Sequence, residues 1–142
     1  GVQAEGSKPI YEAFKAGAER VVFTKAATLA DSISVGSPRN WAKALRAVRK
    51  SDGDMLTVTD EEILSAIPEL ARSTGVFGEP AGATAFAGFR KAAQSGLLGA
   101  SDRVAVVVTG NGLKDIANAQ KSAPPALSVA PDLAELERAL KL

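Results

Sequence analysis

The sequence predicts an α/β fold, a parallel sheet with helices on both faces, and three observations carry that prediction. Short strand-like runs alternate with longer helix-like stretches along the 142 residues, the order that builds a parallel sheet covered by helices. The run Val104-Ala105-Val106-Val107-Val108 is too uniformly apolar for a half-exposed strand and reads as one buried on both faces. It ends in Thr109-Gly110-Asn111-Gly112, a hydroxyl residue and a glycine-rich turn, after which a helical pattern begins. In parallel sheets ligands bind in the crevice beyond the carboxyl ends of the strands, so this turn is the first candidate for a site.

A short strand is expected near Val2–Ala4, followed by a helix from about Pro9 to Ala16 that Gly17 ends. Val21-Val22-Phe23 is compatible with a further short strand. Ser37-Pro38 predicts a helix start, with serine as N-cap, proline at the first helical position, and Trp41, Leu45 and Val48 recurring at helical spacing. Asp52-Gly53 turns the chain into a strand over Met55–Val58. Thr59-Asp60-Glu61-Glu62 is a capping box, threonine with glutamate three residues on. It opens a helix with Ile63, Leu64, Ile67 and Leu70 on its buried face and Gly75 just past its end. Pro68 inside that helix is expected to kink it about one turn earlier. A further helix runs from about Pro80 to Ser95 with Gly82, Phe86, Phe89 and Ala93 on one side, and its small residues permit close approach to the sheet. The strand Arg103–Val108 comes next, then the linker Ser122-Ala123-Pro124-Pro125. An amphipathic terminal helix over Pro131–Leu142 presents Leu133, Leu136 and Leu140. There is no internal repeat and no low-complexity tract.

Composition narrows the chemistry. The net charge of +1 gives no basic stripe for nucleic acid and no electrostatic membrane anchor. No apolar run approaches the ~20 residues needed to span a bilayer, and no signal-peptide pattern opens the chain, so a cytoplasmic location is expected. Cysteine and histidine are both absent, which removes thiolate chemistry, the commonest general base and the commonest metal ligand. No metal site is expected. Gly1-Val2-Gln3-Ala4-Glu5-Gly6 begins almost inside a strand-like segment, from which a missing preceding half is expected.

Taken residue by residue, the candidates have plain readings as well as functional ones. Thr109, as the last residue of a strand, can place its hydroxyl in the crevice while Gly110 and Gly112 let the backbone turn. It is equally the end of a strand-to-helix turn with no ligand. Glu79 precedes Pro80, where a carboxylate meets the positive end of a helix dipole; alternatively it faces a cavity. Lys114 does not belong to a Walker-type phosphate loop, which requires Gly-x-x-x-x-Gly-Lys-Ser/Thr, and reads as a surface or supporting residue.

Val-Thr-Gly-Asn-Gly-Leu-Lys-Asp, residues 108–115, resembles the closing motif of the threonine synthase family, pyridoxal-phosphate enzymes of the tryptophan synthase β-like class. Glu79-Pro80-Ala81-Gly82-Ala83 is similar to a segment that recurs near the active site of that class, and Thr28-Leu29-Ala30-Asp31 to a segment of the synthases. Gly1–Pro9 is similar to the family's Val-Gln-Ala-Glu-Gly-Ser stretch, where a core strand and its turn are expected rather than a ligand contact. The resemblance covers Gly1 to about Ala123, and residues 124–142 are left as linker and terminal helix. It implies the carboxyl-terminal portion of the large domain of a fold type II enzyme, with pyridoxal 5'-phosphate as cofactor. It further implies that Thr109 hydrogen-bonds the pyridine nitrogen and that Glu79, Thr28 and Asn111 belong to the cofactor-binding surface. In the family the lysine joined covalently to the cofactor, the phosphate-binding loop and most substrate-phosphate contacts precede this portion. No catalytic residue is therefore expected within the chain.

The function implied is conversion of O-phosphohomoserine and water to threonine and phosphate by a homodimeric enzyme, with this chain forming one wall of the site and inactive alone. A threonine or serine dehydratase of the same superfamily is the nearest alternative, although those enzymes usually close with a Ser-Gly-Gly-Asn loop where this chain has Thr109-Gly110-Asn111-Gly112. A non-enzymatic α/β module binding an anion or nucleotide at the glycine turn is the alternative from a different class.

Overall fold

The computed structural model describes residues 1–141. Two short strands, β1 (Val2–Ala4) and β2 (Leu56–Val58), pair in parallel with Val2 opposite Leu56 and Ala4 opposite Val58. Between them run the helices α1 (Pro9–Lys15) and α2 (Trp41–Lys50), and after them α3 (Asp60–Thr74) and α4 (Pro80–Gln94). The chain closes with α5 (Ile116–Lys121) and α6 (Leu133–Leu140). The α/β class expected from the alternation of elements is the one observed.

Alternation along β1 distributes the helices over the two faces. Val2 and Ala4 join the main core, which gathers Val58 of β2, Ile63, Ala66 and Ile67 of α3, and Ala83 and Ala87 of α4. Gln3, pointing the other way as strand geometry requires, accepts the Tyr11 backbone N–H of α1 through its Oε1 at 2.8 Å. A second, smaller core joins Ala13 of α1, Leu45 of α2 and Val21 from the segment between them, with Trp41 packed against it.

The capping box is present in full. The Thr59 hydroxyl accepts the Glu62 N–H at 3.1 Å and the Glu62 carboxylate accepts the Thr59 N–H at 2.7 Å. The helix it opens runs on through Pro68 to Gly75, whose φ of 76° is the left-handed conformation that ends helices most readily in glycine. α4 is built of small residues for a reason visible in its contacts. Gly82, Ala83, Thr84, Ala87, Gly88 and Ala92 are buried, and a Cβ on Gly88 would collide with the side chain of Val2. The buried stripe is rotated from the one expected: Ala93 is exposed, and Phe86 and Phe89 are half-buried. The smallest residues, not the bulkiest, mark the closest approach.

Three expectations are corrected. Ser37 does not cap a helix: α2 starts at Trp41, with Pro38–Asn40 in a preceding turn held by the Trp41 N–H to the Pro38 carbonyl at 3.3 Å. Val21–Phe23 forms no strand, and only Val21 is buried. Residues 103–108 form no ladder either, and Val107 is 68% exposed. Strand structure is a property of a pair, and no strand pairs with this segment among the described residues. The terminal helix α6 is exposed throughout, including Leu133, Leu136 and Leu140, and the last residue of the expected span, Leu142, lies outside the described residues. No helix among the described residues is long and apolar enough to cross a membrane.

Gly88→Ala should cost about 1–3 kcal/mol of stability, the usual penalty for forcing an extra methyl into a packed contact. Denaturant unfolding would read this as a lower midpoint at unchanged slope, and an unchanged midpoint would mean that α4 and β1 are not in contact.

Candidate functional site

The Thr109–Gly112 turn is docked onto the segment that leads into α4. The Glu79 N–H donates to the Gly110 carbonyl at 3.0 Å and the Gly112 N–H donates to the Phe77 carbonyl at 2.9 Å, so that Gly78 and Asn111 face each other in an antiparallel bridge. The approach is so close that glycine is required at both turn positions. A Cβ on Gly110 would overlap the Glu79 carboxylate, and one on Gly112 would overlap the ring of Phe77. Gly82, in the first turn of α4, meets the same backbone: its Cβ would stand 2.8 Å from the Gly110 carbonyl oxygen.

Glu79 occupies the N-cap position of α4 with Pro80 at the first helical position, as the sequence suggests. Its side chain makes no capping hydrogen bond. The residue is only 5% exposed, and its Oε1 instead accepts the Lys114 ammonium at 2.9 Å. Lys114 is largely exposed and sits in a short 3-10 turn over Gly112–Asp115, which the Asn111 side chain caps by accepting the Leu113 N–H at 2.9 Å.

Thr28 is engaged by α3. Its hydroxyl donates to Asp60 Oδ1 at 2.5 Å and accepts the Ala30 N–H at 3.2 Å, while the Leu29 N–H donates to Asp60 Oδ2 at 3.0 Å. The first residue of α3 therefore staples this segment to its own N-terminus, and Thr28 borders neither of the two clefts around the turn. The far end of the segment is held by buried Ser7, whose Oγ donates to the Ile33 carbonyl at 3.2 Å and accepts the Val35 N–H at 3.0 Å. Asn118 of α5 closes the third side, donating from Nδ2 to the Leu29 carbonyl at 3.3 Å.

These contacts leave two clefts, one on each side of the start of α4, and Ala81 borders both. The larger, about 730 Å³, is mostly apolar and runs past Val2, Leu56, Thr84 and Val106 to Thr109. At its rim Asp54 is held below the usual carboxylate range by its hydrogen bond to Lys15, 2.6 Å away. The smaller, about 430 Å³, is lined by Asp31, Ser32, Glu79, Lys114, Asp115 and Asn118. Thr109 is exposed, and its hydroxyl has no hydrogen-bond partner among the described residues. No cluster of residues suited to a metal ion occurs among them. Of the four residues singled out in the sequence, Glu79, Thr109 and Asn111 come together around one turn, and Thr28 stands apart on Asp60. Asp60, Ser7 and Asn118 were not singled out. Asp60 carries a signal, an acidic residue at a helix start, but its partner lies 32 residues away; Ser7 and Asn118 carry none.

A family model described as pyridoxal-phosphate dependent enzyme matches residues 1–110. The chain is 39% identical to a threonine synthase of Methanocaldococcus jannaschii over 99% of its own length and 35% of the relative's. It is 46% identical to a threonine synthase of Methanosarcina acetivorans over 81% of its length and 29% of that relative's. It thus spans about a third of the length of these curated relatives. Among solved structures, a T.th. threonine deaminase superposes with a TM-score of 0.55 at 25% identity, covering 66% of this chain and 34% of that one.

Gly110→Ala forces the Glu79 carboxylate away from its seat. The expected loss is about 1–3 kcal/mol by the overpacking rule, read by thermal unfolding, and an unchanged melting temperature would contradict the docking just described.

Proposed function

The chain belongs to the family of pyridoxal-phosphate dependent enzymes, and from that premise we propose that it is part of a threonine synthase, which converts O-phosphohomoserine and water to threonine and phosphate. One observation carries the reading. Three segments that resemble the synthases, separated by about 50 and 25 residues of chain, meet in space: Glu79 pairs with Lys114 and Gly78 bridges Asn111, while Leu29 is joined to Asp115 through Asn118, just past the third segment.

The residues fit one side of the cofactor. A cleft of about 730 Å³ falls within the range typical of small-molecule sites, and Thr109 offers an unengaged hydroxyl on its border. When bound, pyridoxal phosphate supplies a ring that withdraws electrons from the substrate carbon beside the amino group. Thr109 holds the ring nitrogen by donating a hydrogen bond to it. Being neutral, it orients the ring without placing a negative charge beside it. Glu79 and Asn111 act on the turn that carries Thr109 rather than on the ring, and Thr28 secures the neighbouring wall through Asp60. The covalent lysine and the phosphate-binding loop are assigned to the portion of the relatives that this chain does not span. The dimeric state is carried over from the family alone.

The superposition on a threonine deaminase supports one rival, a dehydratase acting on serine or threonine. The Thr109-Gly110-Asn111-Gly112 turn and the identity to synthases favour the synthase.

In the complete enzyme Thr109→Val should lower kcat/KM on O-phosphohomoserine about two- to tenfold, the worth of one neutral hydrogen bond of roughly 0.5–1.5 kcal/mol. It should also shift the cofactor absorbance, while Thr109→Ser restores both. Full turnover with an unchanged spectrum in Thr109→Val would remove the proposed role, and turnover of threonine but not of O-phosphohomoserine by the parent enzyme would favour the dehydratase.

A further inference from the structure

We infer that Lys114 is a positioning residue: its ammonium, paired with the buried Glu79 carboxylate across Gly110, clamps the Thr109–Gly112 turn and fixes where the Thr109 hydroxyl stands. The inference rests on the reading of Thr109 given above and extends it to a residue that touches neither cofactor nor substrate.

The geometry is a closed ring of contacts. The Glu79 N–H donates to the Gly110 carbonyl at 3.0 Å, and Gly110 is joined covalently to Asn111. The Asn111 carbonyl accepts the Lys114 N–H at 3.0 Å, and the Lys114 ammonium returns to Glu79 Oε1 at 2.9 Å. Three links are backbone and cannot be altered by side-chain substitution. The fourth is the ion pair. It spans the one residue, Gly110, whose backbone lies against the Glu79 side chain too closely for any Cβ. If Glu79 moves, Gly110 loses the surface it rests on, and Thr109 is the next residue in the chain.

Electrostatics explain why the link needs a cation. The smaller cleft is bordered by the carboxylates of Asp31, Glu79 and Asp115, and Lys114 is the one cation among its described lining residues. Glu79 is 5% exposed, so its charge is poorly solvated. Removing one partner of a buried pair leaves an uncompensated charge that structure must move to rehydrate. Because Lys114 itself is more than half exposed, the link is weaker than a fully buried pair and its loss opens the turn without unfolding the domain.

The test compares Lys114→Met, Lys114→Arg and the double variant Lys114→Met with Glu79→Gln in the complete enzyme, without and with pyridoxal phosphate. Without cofactor, hydrogen exchange at the Glu79 and Gly112 amides, which donate across the turn, should accelerate about two- to fivefold in Lys114→Met, the scale of a partly exposed ion pair. It should stay at the parent rate in Lys114→Arg and return most of the way in the neutral double variant. With cofactor, the absorbance band should shift in Lys114→Met and recover in Lys114→Arg, with kcat falling more than KM rises. Parent-like exchange in Lys114→Met, or a double variant that exchanges as fast as the single, would overturn the clamp whatever the spectrum does. Faster exchange with spectra unmoved in both Lys114→Met and Thr109→Val would support the clamp and overturn the cofactor reading beneath it.

Discussion

Two backbone hydrogen bonds between residues 77–79 and 110–112 organise the rest of this structure. They bring a turn from late in the chain to the entrance of α4, and that meeting is possible only because glycine stands at 82, 110 and 112. Any side chain at these positions would hold the two backbones apart. The clefts on either side of α4, the burial of Glu79 and the stance of Thr109 all follow from this approach. So does the short 3-10 turn that carries Lys114 back toward Glu79. The small residues of α4 have the same logic on its other side, where Gly88 admits Val2 of β1. A helix of alanine and glycine thus mediates between the sheet and the turn.

Much of this was legible in the sequence where the determinant is local. The capping box at Thr59 and Glu62, the left-handed glycine at 75, Pro80 at a helix start and the small-residue character of α4 each rest on neighbours within a turn or two. Residues 104–108 misled for the opposite reason. A run of valines records a preference for strand, but the ladder comes from a partner strand, and none pairs with this segment among the described residues. Ser37-Pro38 misled because a capping pattern is also a turn pattern: the chain makes a turn at Pro38 and begins the helix three residues later. At the site, the glycine turn announced itself, and so did Glu79. The partnership of Thr28 with Asp60, and of Glu79 with Lys114, did not, because contacts across 32 and 35 residues leave no mark on local spacing.

The chemistry available to the site is set by what the chain lacks as much as by what it holds. With no histidine and no cysteine, its polar equipment around the turn is a hydroxyl, carboxylates, amides and one lysine. A hydroxyl at the tip of the turn suits an orienting contact to a neutral heteroatom. The carboxylates next to the turn, Glu79 and Asp115, are kept to the other side of α4, where Lys114 balances them. That separation keeps their negative charge out of the cleft that Thr109 borders, while the pairing of Glu79 with Lys114 holds the turn in place.

The most direct test of the central claim observes that nitrogen. In the complete enzyme loaded with pyridoxal phosphate labelled with nitrogen-15 in the ring, the ring-nitrogen resonance should move on replacing Thr109 by valine and return on replacing it by serine. A resonance indifferent to the side chain at 109 would show that the hydroxyl does not touch the ring.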